Sequence, residues 1–296
     1  MKTKINYLFS ALIIGALFTI ASCSKDEELP QIDGYNSSDE VASTNLKAHW
    51  TFDSNNNEVI SGTAPSSTFG TVGSTDGQMG KALQLTKGGL VFPAIANINT
   101  ANALNNFTVS LWLKTAGNKG TANEGFSAFF GLIPTGVTDI WGDVMACAET
   151  SRHLPASDTL ELKNLLNTHL EDGSNSLQDN VATLNGDKGK YFLGANKWSH
   201  YVMRWDATTH QFSIFGDGDD VGAYSDRGTT GVEIMAVPVQ AVFGSLASSD
   251  IGFTGAPEQQ SWNPWATASI DDVRVFNTAL SNAEIKALFN LGTAGR

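Results

Sequence analysis

Aromatic side chains lie beside amides and a carboxylate in one short segment near the end of the chain. Trp262 and Trp265 occur there with Glu258, Gln260 and Asn263. Flat indole faces stack on the C–H patches of sugars, while amides and carboxylates bond to sugar hydroxyls. Large aromatics displayed on loops commonly serve binding. The segment therefore predicts a glycan-binding loop. The alternative is that one or both tryptophans tuck under the loop as a small satellite core.

A second aromatic candidate is Trp141, which has Asp139, Gly142 and Asp143 as neighbours. This composition is typical of a loop, so Trp141 and Asp143 are further predicted glycan contacts. The other tryptophans fall in strand-like runs. Three of them are predicted to be core and the last is undecided: Trp50, Trp112, Trp198 and Trp205.

Catalytic constellations are weak in this sequence, which predicts that the protein is not an enzyme. Glycoside hydrolysis needs two carboxylates roughly 5 to 9.5 Å apart. The nearest acidic groups, Asp158 with Glu161 and the run Asp217 to Asp220, fall in an expected helix start and a tight turn. A Gly-x-Ser-x-Gly motif is missing, Cys147 has no local hydrolase signature, and the five histidines lack metal-ligand spacing.

Short strands must position these residues, because apolar runs alternate with Gly, Asn, Asp and Ser from Leu46 onward. That texture predicts an all-β, antiparallel sandwich. The predicted strands are Leu46–Phe52, Ala82–Leu85, Phe107–Leu113, Trp198–Trp205, Gln211–Phe215, Val239–Phe243 and Ile270–Phe276.

Two helices are predicted from capping pairs. Ser281 with Glu284 forms a capping box before a short C-terminal helix. Asp158 with Glu161 predicts a second helix over Thr159–Leu170, inside an inserted segment at about 134–190 that is poor in strand signal.

The first 22 residues are typical of a secretory signal peptide, with Lys2 and Lys4 before an apolar run from Leu8 to Ile20. The run is shorter than the about 20 residues that span a membrane. The sequence Ile20-Ala21-Ser22-Cys23 resembles the lipobox of bacterial lipoproteins, in which the cysteine becomes the lipidated N-terminus. The alternative is an ordinary signal peptide followed by a chance cysteine.

Residues 23–43 are polar and predict an acidic, flexible tether to a domain spanning 44–296. Ser24-Lys25-Asp26-Glu27-Glu28 resembles the acidic export tag of lipoproteins on the outer face of the outer membrane, although a merely solvated linker would look similar. Removing residues 1–22 lowers the formal net charge from −12 to −14. Such a domain should repel nucleic acid and anionic membranes, so the lipid is the predicted membrane contact and neutral polysaccharides the predicted partners.

Several blocks resemble bacterial laminin-G/concanavalin A-like lectin domains. They are Ala48–Asp53, Gly80–Leu83, Phe107–Leu113, Lys197–Val202 and the more specific closing block Ile270–Ser281 with Glu284 and Ile285. The resemblance implies a concanavalin A-like jelly roll of two antiparallel sheets. It also implies a structural calcium ion between the first and last strands, at Asp53 and Asp271 by motif position. Alternatively, Asp271 pairs with a backbone amide or an arginine and needs no ion.

The family includes lectins, glycan-binding modules and glycoside hydrolases, so the fold alone does not decide the function. The Glu-x-Asp-x-x-Glu motif of the hydrolases of this architecture is missing. The preferred hypothesis is a cell-surface lipoprotein that captures poly- or oligosaccharide for uptake, with an outer-membrane transporter as a further partner. The rivals are a glycoside hydrolase with non-standard acidic residues and an adhesive protein that binds another protein.

Overall fold

The computed structural model describes residues 29–120, 125–134, 142, 144–170, 175–181, 192–226 and 233–296. Fourteen strands and one α-helix lie in these ranges. The strands are β1 (Leu46–Trp50), β2 (Ser67–Asp76), β3 (Lys81–Phe92), β4 (Phe107–Lys114), β5 (Phe126–Pro134), β6 (Val144–Glu149), β7 (Leu162–Leu170), β8 (Asn175–Val181), β9 (Ser199–Asp206), β10 (Gln211–Gly216), β11 (Asp219–Asp226), β12 (Glu233–Met235), β13 (Pro238–Phe243) and β14 (Ala268–Phe276). The helix α1 is Asn282–Thr293.

The strands form one curled antiparallel sheet with two halves that pack face to face. One half has the order β11-β10-β9-β4-β14, the other has β13-β5-β6-β7-β12, and β3 joins β14 to β13. Inward side chains of both halves meet in the main core, where Trp50 contacts Phe92, Phe130 and Phe243 edge-on or tilted at 5.4–5.6 Å between ring centroids. The predicted all-β jelly-roll sandwich is therefore confirmed.

Two smaller apolar clusters cover the outer faces of the sandwich. Helix α1 packs Ile285, Leu288 and Leu291 against β9, β10 and β14. The predicted capping box is present, with the Ser281 side chain bonded to the Glu284 amide and the Glu284 side chain bonded back. On the other half, the chain between Gly244 and Ala266 lies over β5, β6 and β13. None of the helices in the described ranges is long and apolar enough to cross a membrane.

The helix predicted over Thr159–Leu170 is wrong, because Leu162–Leu170 forms strand β7 between β6 and β8. Leu162 joins the main core and Leu165 joins the cluster on the opposite face. A strand covered on both faces does not alternate between apolar and polar residues, and its leucines imitated a helical stripe. Glu161 does not cap a helix; it pairs with Arg152 and His153. The inserted segment is accordingly built from strands where it is described.

The compact unit begins at Gln31, inside the stretch 23–43 that was expected to be a flexible tether. Arg274 on β14 donates a hydrogen bond to the Ser38 hydroxyl and pairs with Asp39 at 2.9 Å. Val41 is buried against β9, β14 and α1. Residues 31–43 are thus part of the fold, since their few apolar and charged side chains have partners on the last strand. Cys23 lies outside the described residues.

Candidate functional site: a polar groove beside the tryptophan loop

A groove crosses the outer face of the sheet where β2, β3, β14 and β4 are neighbours. Its volume is about 320 Å³, within the usual size range of small-molecule sites. The register aligns Gly73 with Gln84, Gln84 with Ser269, and Ser269 with Lys114. Because side chains alternate between the faces of a strand, the intervening Leu83, Ile270 and Leu113 point into the core.

Hydroxyl, amide and ammonium groups dominate the polar lining of this groove: Thr75, Gln84, Thr86, Lys114, Asn196 and Ser269. Gln84, Lys114 and Asn196 are exposed. The Asn196 backbone is in the left-handed region (φ +65°) and its N–H donates to the Thr115 carbonyl at 2.8 Å, which fixes the turn beside β4. The lining includes no carboxylate.

The tryptophan loop adjoins one end of the groove. Burial alternates along the chain from Trp265 to Ile270, with Ala266, Ala268 and Ile270 in the main core. Trp265, Thr267 and Ser269 therefore face outward together. The Trp265 ring lies against Phe69 of β2 with 4.9 Å between centroids, and its Nε1 donates to Gln259 Oε1 at 3.0 Å.

The predicted display of both tryptophans on the loop surface is corrected by their packing. Trp262 and Trp265 are half-buried against the outer cluster, and Trp262 meets Phe126 edge-on at 5.7 Å. The satellite-core alternative therefore describes the packing of both rings, and Trp265 differs in facing outward two residues before Thr267 of the groove lining. Sequence analysis missed Gln259, whose side chain accepts from Trp265 and donates to the Asn263 carbonyl.

The other predicted glycan contacts have different fates. Asn263 is 2% exposed, so its side chain is enclosed by the loop and is not a surface contact. Glu258 is exposed and its carbonyl accepts from Gln260 Nε2 at 2.7 Å. The remaining predicted contacts, Trp141 and Asp143, lie outside the described residues.

Asp53 and Asp271 line a smaller cavity of about 170 Å³ between the loop after β1 and the last strand. Asp271 Oδ2 accepts from the Met79 N–H at 2.9 Å, whereas Asp271 Oδ1 is buried and has no hydrogen-bond partner. Asp53 Oδ1 accepts from the Lys81 N–H. A Cβ on Gly77 or Gly80 would lie within 2.4 Å of one of these carboxylates, so both glycines are needed to let the turn approach them.

This donor set fits an oxygen-seeking cation such as calcium, which Asp53 and Asp271 would hold together with carbonyl and water oxygens. Among the described residues, no group of three His, Cys, Asp or Glu side chains has metal-site geometry, so protein carboxylates alone would not complete the shell. Burial raises the pKa of Asp271 to about 7, and the Met79 amide opposes that rise. The calcium prediction stays a prediction.

The neighbouring Asp272 is engaged differently, although it is adjacent in sequence. It contacts His49 Nε2 at 2.6 Å and Arg274 Nε at 2.9 Å. Burial would raise the pKa of Asp272, but Arg274 and His49 hold it at about 2. The arginine pairing envisaged for Asp271 is thus found at Asp272, and the backbone-amide pairing is found at Asp271.

The curled sandwich and the groove on its outer face define a lectin-like class of β-protein. The sequence model of the Concanavalin A-like lectin/glucanases superfamily matches residues 87–286, and the chain belongs to this family. A search of curated proteins by sequence found no match.

Solved structures with the same fold are distant in sequence. The binding domain of Paraclostridial Mosquitocidal Protein 1 is 16% identical, with a TM-score of 0.57 over 83% of this chain and 52% of that one. The binding domain of botulinum neurotoxin serotype G is 10% identical, with a TM-score of 0.55 over 83% and 51%. Domain 4 of a GH43 extracellular arabinanase from Geobacillus stearothermophilus, in complex with arabinotriose, is 18% identical, with a TM-score of 0.50 over 82% and 97%. The chain thus spans about half the length of the two toxin domains.

Proposed function

We propose that this protein is a glycan-binding module that captures poly- or oligosaccharide at the cell surface. The observation that carries the proposal is the polar groove across β2, β3, β14 and β4, whose lining residue Thr267 follows the outward-facing Trp265 by two positions. Hydroxyl and amide side chains exchange hydrogen bonds with sugar hydroxyls, and a half-buried indole offers a flat apolar surface to a ring's C–H groups.

The arrangement favours binding over hydrolysis. Both classes of glycosidase need two carboxylates across the scissile bond, whereas the residues that line this groove include none. Two carboxylates are close in sequence to groove-lining residues, and both have protein partners. Asp76 pairs with Lys81, and Asp271 accepts from the Met79 amide. Domain 4 of the arabinanase, which has the same fold, is in complex with an oligosaccharide.

The proposal includes an anchor. Lipidation of Cys23 would hold the domain at the outer membrane, facing the exterior, where captured glycan passes to a neighbouring transporter for uptake. The support for this part is the sequence alone, through the signal-peptide pattern, the lipobox resemblance and the acidic residues that follow.

Affinity electrophoresis of the purified chain against a panel of polysaccharides tests the function. At least one glycan should retard the protein, and Gln84→Ala should weaken that retardation because it removes an amide from the middle of the groove. Gln240→Ala, on β13 of the other half, is the matched control and should behave as the unmodified protein. Gln84 is exposed, so its loss should change the free energy of unfolding by less than about 0.5 kcal/mol.

Two results would count against the proposal in different ways. If no glycan retards the protein, glycan capture is wrong. If glycan binds equally well to Gln84→Ala, the groove is not the site, and the loop at Glu258 and Gln260 becomes the place to look.

A further inference from the structure

Lys114 gives the groove a positive charge that the rest of the lining does not balance. It is the last residue of β4, it is exposed, and it lies opposite Ser269, which in turn lies opposite Gln84. The three side chains therefore form one row across the outer face. Asn196, in the turn before β9, adds a second amide on the same lining.

The charge of Lys114 is not neutralised within the described part of the chain. The salt bridges there engage Lys81, Lys163, Lys197 and Lys286. Among residues that the structure describes, no carboxylate lies within 4.0 Å of the Lys114 ammonium, and the groove lining there contains none. The Gln84 and Asn196 side-chain amides likewise make no hydrogen bond within the described ranges, so three donors are free on one wall.

An unpaired ammonium in a protein with a net charge of −12 is informative about the ligand. A neutral sugar seated over it would replace some of the lost water contacts with hydroxyl oxygens, but would not neutralise the charge. An anionic group would replace it with a charge-assisted hydrogen bond, roughly twice as strong as a neutral one. The formal charge of the groove lining is thus positive, whereas the net charge of the whole chain is negative.

Resting on the proposed glycan-binding function, we propose that the groove selects an anionic saccharide, with the carboxylate of a uronic acid or a sulfate ester bound to Lys114 and the amides of Gln84 and Asn196. Net charge alone favoured neutral glycans, but an ammonium at contact distance interacts more strongly with a bound anion than do surface carboxylates farther away, which salt screens.

Matched pairs of saccharides that differ only in charge test the proposal by isothermal titration calorimetry with the full chain. One pair is oligogalacturonate and its methyl ester; the other is a sulfated galactan oligosaccharide and its desulfated form. The charged member of at least one pair should bind roughly twofold to fivefold more tightly, as expected for one exposed charged contact. The pair that shows the preference identifies carboxylate or sulfate as the natural group.

Lys114→Gln should remove this preference, because affinity for the charged saccharide should fall about twofold to fivefold further than affinity for the neutral member. In the unmodified protein, the preference for the charged saccharide should also vanish at 1 M salt, where the Debye length is about 3 Å. Lys47→Gln is the control, because it makes the same charge change on β1, where the Lys47 ammonium bonds to the Thr44 carbonyl.

The outcomes separate this proposal from the proposed function. Binding of neutral and charged members with equal affinity, or an equal loss for both in Lys114→Gln, would overturn the selection of an anion and leave glycan binding standing. Absence of binding to every saccharide, including a wide neutral panel, would overturn both.

Discussion

His200 is held uncharged inside the sheet, next to groups that do carry charge. Its Nε2 lies 2.8 Å from the Ser110 hydroxyl, and its ring contacts the rings of Trp112 and Phe289. Burial lowers the pKa of His200 from 6.5 to about 3, with Arg274 adding to the effect and Asp272 opposing it. The unfolded chain therefore binds a proton here well before the folded chain does.

This difference predicts a loss of stability in acid. As the pH falls from about 6.5 to about 3, the unfolded state takes up the proton and the folded state does not, so the free energy of unfolding decreases by on the order of 4 kcal/mol from this group. Asp271 acts in the opposite direction over part of the range, because its raised pKa stabilises the folded state towards lower pH. Urea unfolding of His200→Gln across this range isolates the histidine.

Between pH 6.5 and 4 the free energy of unfolding should decrease less for the variant than for the unmodified protein. At pH 6.5 the variant should be the less stable of the two, because glutamine packs less well than the buried imidazole. His210→Asn, at a turn residue with φ +52°, serves as the control and should follow the unmodified protein. Parallel pH curves for His200→Gln and the unmodified chain would show that His200 does not resist protonation.

Asp271 allows the calcium prediction to be tested at one atom. Its Oδ1 is buried without a hydrogen bond, a situation that costs about 1–3 kcal/mol unless a partner binds. Millimolar calcium should therefore raise the melting temperature at pH 8, and a chelator should reverse the rise. Asp271→Asn should abolish the calcium response, whereas Glu149→Gln, on β6, should keep it. A melting temperature that is the same with calcium and with chelator would leave the site without an ion.

At the scale of elements, the loop from Gly244 to Ala266 combines a structural and a binding surface. Trp262 packs on Phe126, while Trp265 packs on Phe69 and faces outward two residues before Thr267 of the groove lining. Trp262→Ala and Trp265→Ala should each lower the free energy of unfolding by about 2 kcal/mol, less than for a fully buried ring. Only Trp265→Ala should also weaken glycan retention.

Phenylalanine at each position separates the two effects in chemical denaturation and affinity electrophoresis. Trp262→Phe should restore most of the stability. Trp265→Phe should still be partly retarded by glycan in the gel, although it lacks the hydrogen bond to Gln259. Equal loss of retention in both alanine variants would show that the loop acts as one unit and that Trp265 has no special place.

The N-terminal segment is an element that stabilises the last strand. Arg274 bonds to Ser38 and Asp39, and Val41 is 1% exposed. A chain that begins at residue 44 should be less stable than one that begins at residue 31 by roughly 3 kcal/mol, from lost apolar burial and a buried arginine left with fewer partners. Thermal melts compare the two, with the full chain as reference. If both shortened chains melt together, residues 31–43 contribute nothing.

The elements that could be predicted from the sequence are those with local signals. In the sequence of β4 apolar residues alternate with Thr108 and Ser110, although both faces of β4 and β14 are buried, and Ser281 with Glu284 fixes the start of α1 through its own hydrogen bonds. Strand β7 could not be predicted, because the spacing of its leucines matches an apolar stripe on a helix and no apolar–polar alternation marks it as a strand. The groove could not be predicted either: Gln84 and Ser269 are each visible as polar residues between apolar ones, but only the pairing of β3 with β14 brings them together.

At the scale of the whole molecule, charge and anchorage are linked. The part after residue 22 has a formal net charge of −14, so it has no electrostatic attraction to an anionic leaflet. Membrane attachment of the mature chain would then depend on hydrocarbon linked to Cys23, at about 0.8 kcal/mol per buried CH₂ group. Cys147 offers no second attachment point, because it lies buried in β6.

Serine substitution of each cysteine in turn tests the proposed lipid anchor. Cys23→Ser should move the protein from the membrane pellet to the soluble fraction. The variant protein should also carry no label when it is isolated from cells fed radioactive palmitate. Cys147→Ser should leave both unchanged, since Cys147 is buried and its Sγ bonds to the backbone carbonyls of Met145 and Lys163 within the sheet. A Cys23→Ser protein that stays in the pellet through a wash with 1 M salt would place the anchor elsewhere. In that case glycan capture by the groove would have to be tested apart from the proposed outer-membrane location.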